Sequence, residues 1–234
     1  MVRAARTETV LDGIVVRMTN YGESDRIVEF LTAEEGRVSM IARGARRSRK
    51  RFGGALDLFS GLRTHSQSGP NLWTLKSVDA LNLRLPLRGH FELLGRASLI
   101  CDCARALTPE HHESADMYEA VRQGLDHLSE EDSLAASQAY PLILQAAGIL
   151  PDTGGVRVEE SMRYTLNFQS GLVVGAGRVQ GGARGFGPEV VQALRGHACT
   201  STEGARQLER LVIDWVQHQI GKRLPSADVY LDMM

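Results

Sequence analysis

Cysteine is scarce in this sequence: Cys101, Cys103 and Cys199 are all that a 234-residue chain contains. Three is an odd number and supports no disulfide framework. Cys101 and Cys103 stand two apart in a stretch of helical periodicity, so they face different ways and make a poor chelating pair. Buried, inert thiols are the expectation. Long apolar runs are missing as well, none approaching the roughly 20 residues that span a bilayer. The charged first six residues lead into Thr7, Glu8 and Asp12 rather than into the apolar stretch of a signal peptide, which points to the cytoplasm and to no membrane partner. Common catalytic motifs are also lacking: there is no P-loop, no Gly-x-Ser-x-Gly elbow and no His-Glu-x-x-His. Gly175-Ala176-Gly177 sits in a hairpin context and is no dinucleotide fingerprint, and the pairs Glu130-Glu131 and Glu159-Glu160 lie in different segments with no metal context. His111-His112, downstream of Cys101 and Cys103, fits no common zinc spacing. The reading is therefore of a chain without catalytic residues, metal, cofactor or small-molecule substrate.

Ordinary globular composition, 43% hydrophobic and 24% charged, argues against disorder. The formal net charge of −1 hides a division. Residues 1–89 carry 15 Arg/Lys against 9 Asp/Glu, and residues 90–234 carry 12 against 19, so the halves differ in sign at +6 and −7. Such asymmetry suggests one face for a polyanion and another for different partners.

The first 85 residues read as strands. Leu11, Gly13 and Val15 alternate with Val10, Asp12 and Ile14; a turn at Asn20-Tyr21-Gly22 precedes a second strand over 26–31; Val38, Met40 and Ala42 alternate after the turn at Glu34-Glu35-Gly36. Residues 56–63 and 72–81 supply two more. Five short strands suit a small barrel, and both an OB-fold and an SH3-like barrel satisfy the count. From Leu85 the apolar period becomes that of helices. One carries Phe91, Leu94, Ala97, Leu99, Ile100 and Ala104 on its apolar face. A second, capped by Ser114, runs to Leu128. A third opens at Asp132 or Ser133 and breaks or kinks at Pro141. A hairpin is predicted over 162–168 and 172–174, then helices over 188–194 and 202–220.

The strongest local signal is Arg43-Gly44-Ala45-Arg46-Arg47-Ser48-Arg49-Lys50-Arg51, six cations in nine residues. Like charges so close repel one another until a polyanion neutralises them, and phosphates do so with release of condensed counterions. Five of the six are arginine, whose fork grips two phosphate oxygens and whose plane stacks on bases. Arg43, Arg46, Arg47, Arg49, Lys50 and Arg51, with Arg26 and Arg37 elsewhere on the barrel, are the candidate nucleic-acid contacts. Arg63, Lys76, Arg84 and Arg88 add to the positive charge of this half. Phe52 and Trp73 read as core residues rather than stacking platforms.

The stretch Gly13 to Val15, Tyr21-Gly22-Glu23-Ser24-Asp25-Arg26, Phe30-Leu31-Thr32, Glu35-Gly36 and Ala42-Arg43-Gly44-Ala45-Arg46-Arg47 closely resembles the bacterial recombination-repair family RecO. Leu58-Phe59-Ser60-Gly61-Leu62, Phe91-Glu92-Leu93-Leu94, the Leu142–Pro151 segment and Leu224-Pro225-Ser226 fit later parts of the family pattern. The resemblance implies an α+β chain: an N-terminal five-stranded OB-type β-barrel over 1–84, then a mainly helical domain over 85–234. It implies binding of single- and double-stranded DNA, annealing of complementary strands, and contacts with RecR and the SSB C-terminal tail that let RecA load on gapped DNA, in the cytoplasm and associated with the nucleoid. No turnover chemistry is implied. Many relatives place a Cys-x-x-Cys pair after the position of Pro151 and a second pair later, forming a zinc ribbon. Here the positions read Asp152-Thr153-Gly154-Gly155 and Gly175-Ala176-Gly177-Arg178, so a metal-free, zinc-ribbon-like hairpin insertion over about 148–187 is expected. An OB-fold RNA-binding or scaffold protein without a repair role is the alternative.

Overall fold

The computed structural model describes residues 7–48, 51–52, 54–69, 72–176 and 185–231. β1 (Glu8–Tyr21), β2 (Asp25–Thr32), β3 (Gly36–Ala42), β4 (Gly61–Gln67) and β5 (Trp73–Asn82) close into a barrel in the order β1-β2-β3-β5-β4. β1 is long enough to serve two neighbours: residues 8–14 pair with β4, and residues 13–21 pair with β2 across a bulge between Val15 and Arg17. All pairings are antiparallel except the short β3–β5 contact that shuts the barrel. This closed five-stranded arrangement followed by helices is OB-type.

Strand alternation sorts the side chains. Leu11, Val15, Val28, Phe30, Val38, Met40, Leu62, Trp73 and Leu75 fill the interior, joined by Phe52 and Leu56 from the β3–β4 connection. Ile14, Val16, Leu31 and Phe59 instead belong to a second core shared with the helices. Barrel and helical region are thus joined by apolar burial on one outer face of the barrel.

The strand expected over 56–63 begins only at Gly61. Leu56 and Phe59 are apolar because they plug the two cores, and the backbone turns there: Asp57 Oδ1 accepts from Leu58 N at 2.9 Å and Phe59 takes φ 66°. The helical region holds α1 (Phe91–Leu107), α2 (Ala115–Ser129), α3 (Ser133–Ala136) and α4 (Ala139–Ala146), then the hairpin β6 (Arg163–Leu166) and β7 (Val173–Ala176), then α5 (Pro188–Leu194), α6 (Thr202–Ile220) and α7 (Ala227–Leu231). Phe91, placed on a buried face by periodicity, is 67% exposed because it opens α1. Ser114 precedes α2 but its hydroxyl donates to the His112 carbonyl rather than accepting a helix amide. The expected break near Pro141 falls at Ser137-Gln138, leaving the proline in the first turn of α4, where its missing N–H costs nothing. Cys101 and Cys103 are fully buried, and burial pushes both thiols up, out of reach of thiolate chemistry. Among the described residues, no helix is long and apolar enough to cross a membrane.

Polar contacts fix the two regions in register. Glu29 on β2 accepts from Arg105 Nε on α1 at 2.9 Å and from Arg37 Nη1 on β3 at 3.3 Å. Arg84, buried and left-handed at φ 44°, donates to Asp126 Oδ1 of α2 and to the Phe59 carbonyl, each at 2.7 Å. Gly36 turns between β2 and β3 at φ 57°, and a Cβ there would overlap the His112 carbonyl. Gly36→Ala is therefore expected to cost about 1–2 kcal/mol from the left-handed backbone and more from the overlap, a Tm lower by at least roughly 2–8 °C in a chain this size. An unchanged thermal melt would show that the segment over 110–114 yields freely.

Candidate nucleic-acid interface

The basic run leaves the barrel at the end of β3 and is built against the β1–β2 turn. Asp25, first residue of β2, accepts the Gly44 amide at 2.8 Å and the Ser24 hydroxyl at 3.0 Å. The Gly44 amide, then Ser24, hold the Asp25 carboxyl below the ordinary aspartate range. A depressed carboxylate makes its contribution above its unfolded pKa and loses it as the pH falls through the folded value, so this anchor persists into mild acid. Arg46 N donates to the Ser24 carbonyl at 3.0 Å, and Arg46 Nη1 donates to the carbonyls of Glu23 at 3.0 Å and Gly22 at 3.4 Å. Amides of Arg47 and Ser48 return to the Gly44 carbonyl, a tight turn that Gly44 permits at φ 67°. Arg51 donates to the Arg43 carbonyl at 2.7 Å and lies over the Phe52 ring at 5.3 Å, while Phe52 itself is sunk in the barrel core. Residues 43–48 thus form a folded shelf anchored by Asp25, with Arg51 beside the buried Phe52 and the side chains of Arg43, Arg46, Arg47 and Arg51 exposed.

The structure brings Arg43, Arg46, Arg47 and Arg51 together, all exposed. Arg49 and Lys50 lie outside the described residues. Arg47 has a loose partner, Glu23 at 3.9 Å, with both side chains largely in water; such a pair is worth little and gives way to a phosphate. Arg26 stands apart, half-buried at the barrel mouth, with Nη1 3.6 Å from Met18 Sδ. Arg37 is in none of this: its guanidinium donates to the Thr108 carbonyl and Glu29 and faces Glu110 at 3.6 Å, tying β3 to the helical region.

Arg63 and Arg88 are similarly engaged, while Arg17 on β1 is exposed and lies 3.9 Å from Glu29. Arg63 clasps Asp12 with two bonds of 2.7 and 2.8 Å, and Arg63 in turn holds the Asp12 carboxyl below its ordinary range. Arg88 meets Asp57 and the Ser60 hydroxyl. Positive charge counted along the barrel sequence overstates what is presented to a ligand, and the 43–51 shelf concentrates the exposed part. Sequence reasoning passed over Tyr21, which ends β1 beside this shelf and is 56% exposed.

The residues at the first zinc knuckle do not fit a metal. The Asp152 carboxylate accepts its own turn's Gly154 amide at 2.7 Å. Arg195, at the end of α5, donates to the Thr153 hydroxyl and carbonyl and to the Val156 carbonyl at 3.2, 2.7 and 2.6 Å. A guanidinium cross-link occupies the turn, and a cation cannot share it with zinc. The second knuckle runs into residues 177–184, outside the described residues. Arg195→Ala is expected to lower stability by about 1 kcal/mol, chiefly through the partly buried Thr153 carbonyl it leaves unpaired, measurable as a lower denaturant midpoint; an unchanged midpoint would show that the hairpin is held by its apolar contacts alone.

A family model described as "Recombination protein O N terminal" matches residues 7–84, the barrel with its shelf. The chain is 34% identical over 253 aligned positions to the DNA repair protein RecO of Anaeromyxobacter sp. (strain K), covering 95% of each chain. It is 28% identical to the protein of the same name from Myxococcus xanthus, over 93% of this chain and 94% of that one. The RecO of Symbiobacterium thermophilum is 38% identical over 52% of this chain. Identity at the first of these levels over 95% of both chains means that this chain belongs to the RecO family of DNA repair proteins.

Proposed function

We propose that this chain acts without turnover chemistry in RecF-type gap repair: it binds single- and double-stranded DNA, anneals complementary strands, and with RecR helps RecA load on DNA coated by SSB. One observation carries the DNA-binding part. Arg37, Arg63, Arg84 and Arg88 are held in internal pairs, whereas the shelf over 43–51 holds Arg43, Arg46, Arg47 and Arg51 exposed on one connection. Cations so spaced reach successive phosphates, and each phosphate neutralised releases counterions. Arg49 and Lys50 extend the same run in sequence; Arg26 flanks it, and Arg37 positions the strand that leads into it.

In this reading the barrel over residues 1–84 is the DNA-binding unit, and the helical part over 85–234 meets RecR and the SSB tail. The net charge of −7 on residues 90–234 supports that division, because a like-charged surface repels DNA. The protein acts in the cytoplasm, on the nucleoid, and needs no metal. Incubated with complementary oligonucleotides coated by SSB, the full chain is expected to accelerate annealing. Failure to anneal, together with a salt-stable preference for structured RNA, would overturn the repair assignment.

A further inference from the structure

The strongest unassigned feature lies next to the basic shelf. A single exposed aromatic ring needs no explanation by itself; Tyr21 is set apart by its surroundings. It pairs directly with Asp25 across the β1–β2 ladder, and opposed residues put their side chains on one face, about 5 Å apart at Cβ. Asp25 is the residue that holds the Gly44 amide. The phenol ring therefore stands at the root of the shelf, beside the turn whose carbonyls receive Arg46.

Strand parity places Tyr21 on the outer surface. Val28, Phe30, Val38 and Met40 point into the barrel, so Asp25 and Ile27 on β2, and Ser39 and Ile41 on β3, point outward with it. Ile27 and Ile41 are direct partners in the ladder, and both are only half-buried. A shallow apolar strip thus leads from the Tyr21 ring across β2 and β3. Arg43, Arg46 and Arg47 emerge alongside it. Of the acidic neighbours, Asp25 is answered by the Gly44 amide and Ser24, and Glu23 reaches out into water. A flat ring, a low apolar strip and a parallel row of cations together match the two sides of a single strand, bases on one and phosphates on the other. The outer face of strands 2 and 3, with the first inter-strand loop, is also where OB-type barrels hold oligonucleotides. A duplex, whose bases are stacked on one another, offers this ring nothing.

We propose that Tyr21 is a base-stacking residue, which seats one unpaired base at the start of the Ile27–Ile41 strip and gives the shelf its preference for single strands. This rests on the reading that the shelf binds phosphates, and the test separates the two. Affinities of the full chain for an oligothymidylate of roughly 20 nucleotides, longer than one barrel's footprint, and for a blunt duplex are measured across a salt series. Tyr21→Ala is expected to weaken single-strand binding about 5- to 150-fold, the equivalent of one lost stacking contact. Its salt slope and duplex affinity should stay as they were, because no cation is lost. Tyr21→Phe, which keeps the ring, should stay within about twofold of the parent. A strand carrying 5-iododeoxyuridine should photocrosslink to Tyr21. Undiminished single-strand affinity in a folded Tyr21→Ala chain overturns the stacking assignment; if Arg46→Ala with Arg47→Ala still weakens binding, the phosphate reading stands. If that arginine variant also binds as before, both fall.

Discussion

Glu209→Ala is expected to cost about 3–5 kcal/mol, the usual result of leaving one buried charge without its partner, which lowers Tm by roughly 6–20 °C in a chain of this size. Glu209 on α6 is 1% exposed and Arg96 on α1 is 2% exposed. Arg96 Nη1 lies 3.1 Å from Glu209 Oε1, and the Tyr230 hydroxyl of α7 donates to Glu209 Oε2. Arg96 Nε and the buried Tyr140 hydroxyl lack hydrogen-bond partners, and the other carboxylate beside the guanidinium, Glu92 at 3.5 Å from Nε, stands largely in water. Removing the Glu209 carboxylate would leave the buried guanidinium with the solvent-exposed Glu92 as its remaining counter-charge and would cut the Tyr230 tie of α7. Ser226 N, bonded to Asp102 Oδ2 at 2.9 Å, would be the remaining polar tie at the start of α7. Removing the three linked polar groups at once, as Arg96→Met with Glu209→Leu and Tyr230→Phe, should recover most of the loss, since no charge is then left buried. A Glu209→Ala melt within a degree or two of the parent would mean that water reaches Arg96 and that the pair does not hold the helices together.

Such a pair shows what a sequence does and does not disclose. Glu209 and Arg96 look like ordinary surface residues of amphipathic helices, and only the packing of α1, α6 and α7 makes them core. Local rules served better. The helix over 202–220 was legible from the stripe of Leu208, Leu211, Val212, Trp215, Val216 and Ile220, and in the structure Ser201 caps it, accepting the Gly204 amide at 3.0 Å, while Gly221 ends it at φ 66°. Strands followed from alternation and glycine turns. The strand expected over 56–63 failed for a physical reason: Leu56 and Phe59 are apolar to fill two separate cores, which imitates a strand pattern.

The candidate site divides in the same way. Six cations in nine residues announce a polyanion contact in any context. Which arginines are presented is a tertiary matter. Arg37, Arg63, Arg84 and Arg88 carry the same charge as Arg43, and only the location of Glu29, Asp12, Asp126 and Asp57 shows that they are engaged. Tyr21 was invisible because a residue ending a strand beside a turn can face either way.

The central claim is that the 43–51 shelf is the principal phosphate contact, and it leads to the second large effect. Replacing Arg46, Arg47, Arg49, Lys50 and Arg51 with Ala removes cations without touching Phe52 or the Asp25–Gly44 anchor. The barrel should persist, because buried Phe52 and the Asp25–Gly44 anchor remain, although the shelf loses the Arg46 and Arg51 bonds to main-chain carbonyls. On single strands each neutralised phosphate contributes roughly 0.7 to the log–log salt slope, so three or four engaged cations account for a slope of about −2 to −3. Not all can engage together, because ordering many long side chains is opposed by their entropy. At about 0.1 M salt that contribution corresponds to a loss of affinity on the order of 100-fold or more.

The direct measurement is the single-strand binding constant of the parent and this variant, followed from low to high salt by fluorescence anisotropy. The variant should bind far more weakly at low salt, approach the parent as salt rises, and give a slope flatter by about 2 to 3. An unchanged slope and unchanged affinity in a variant with the parent's thermal melt would contradict the account and place the DNA path elsewhere on the barrel.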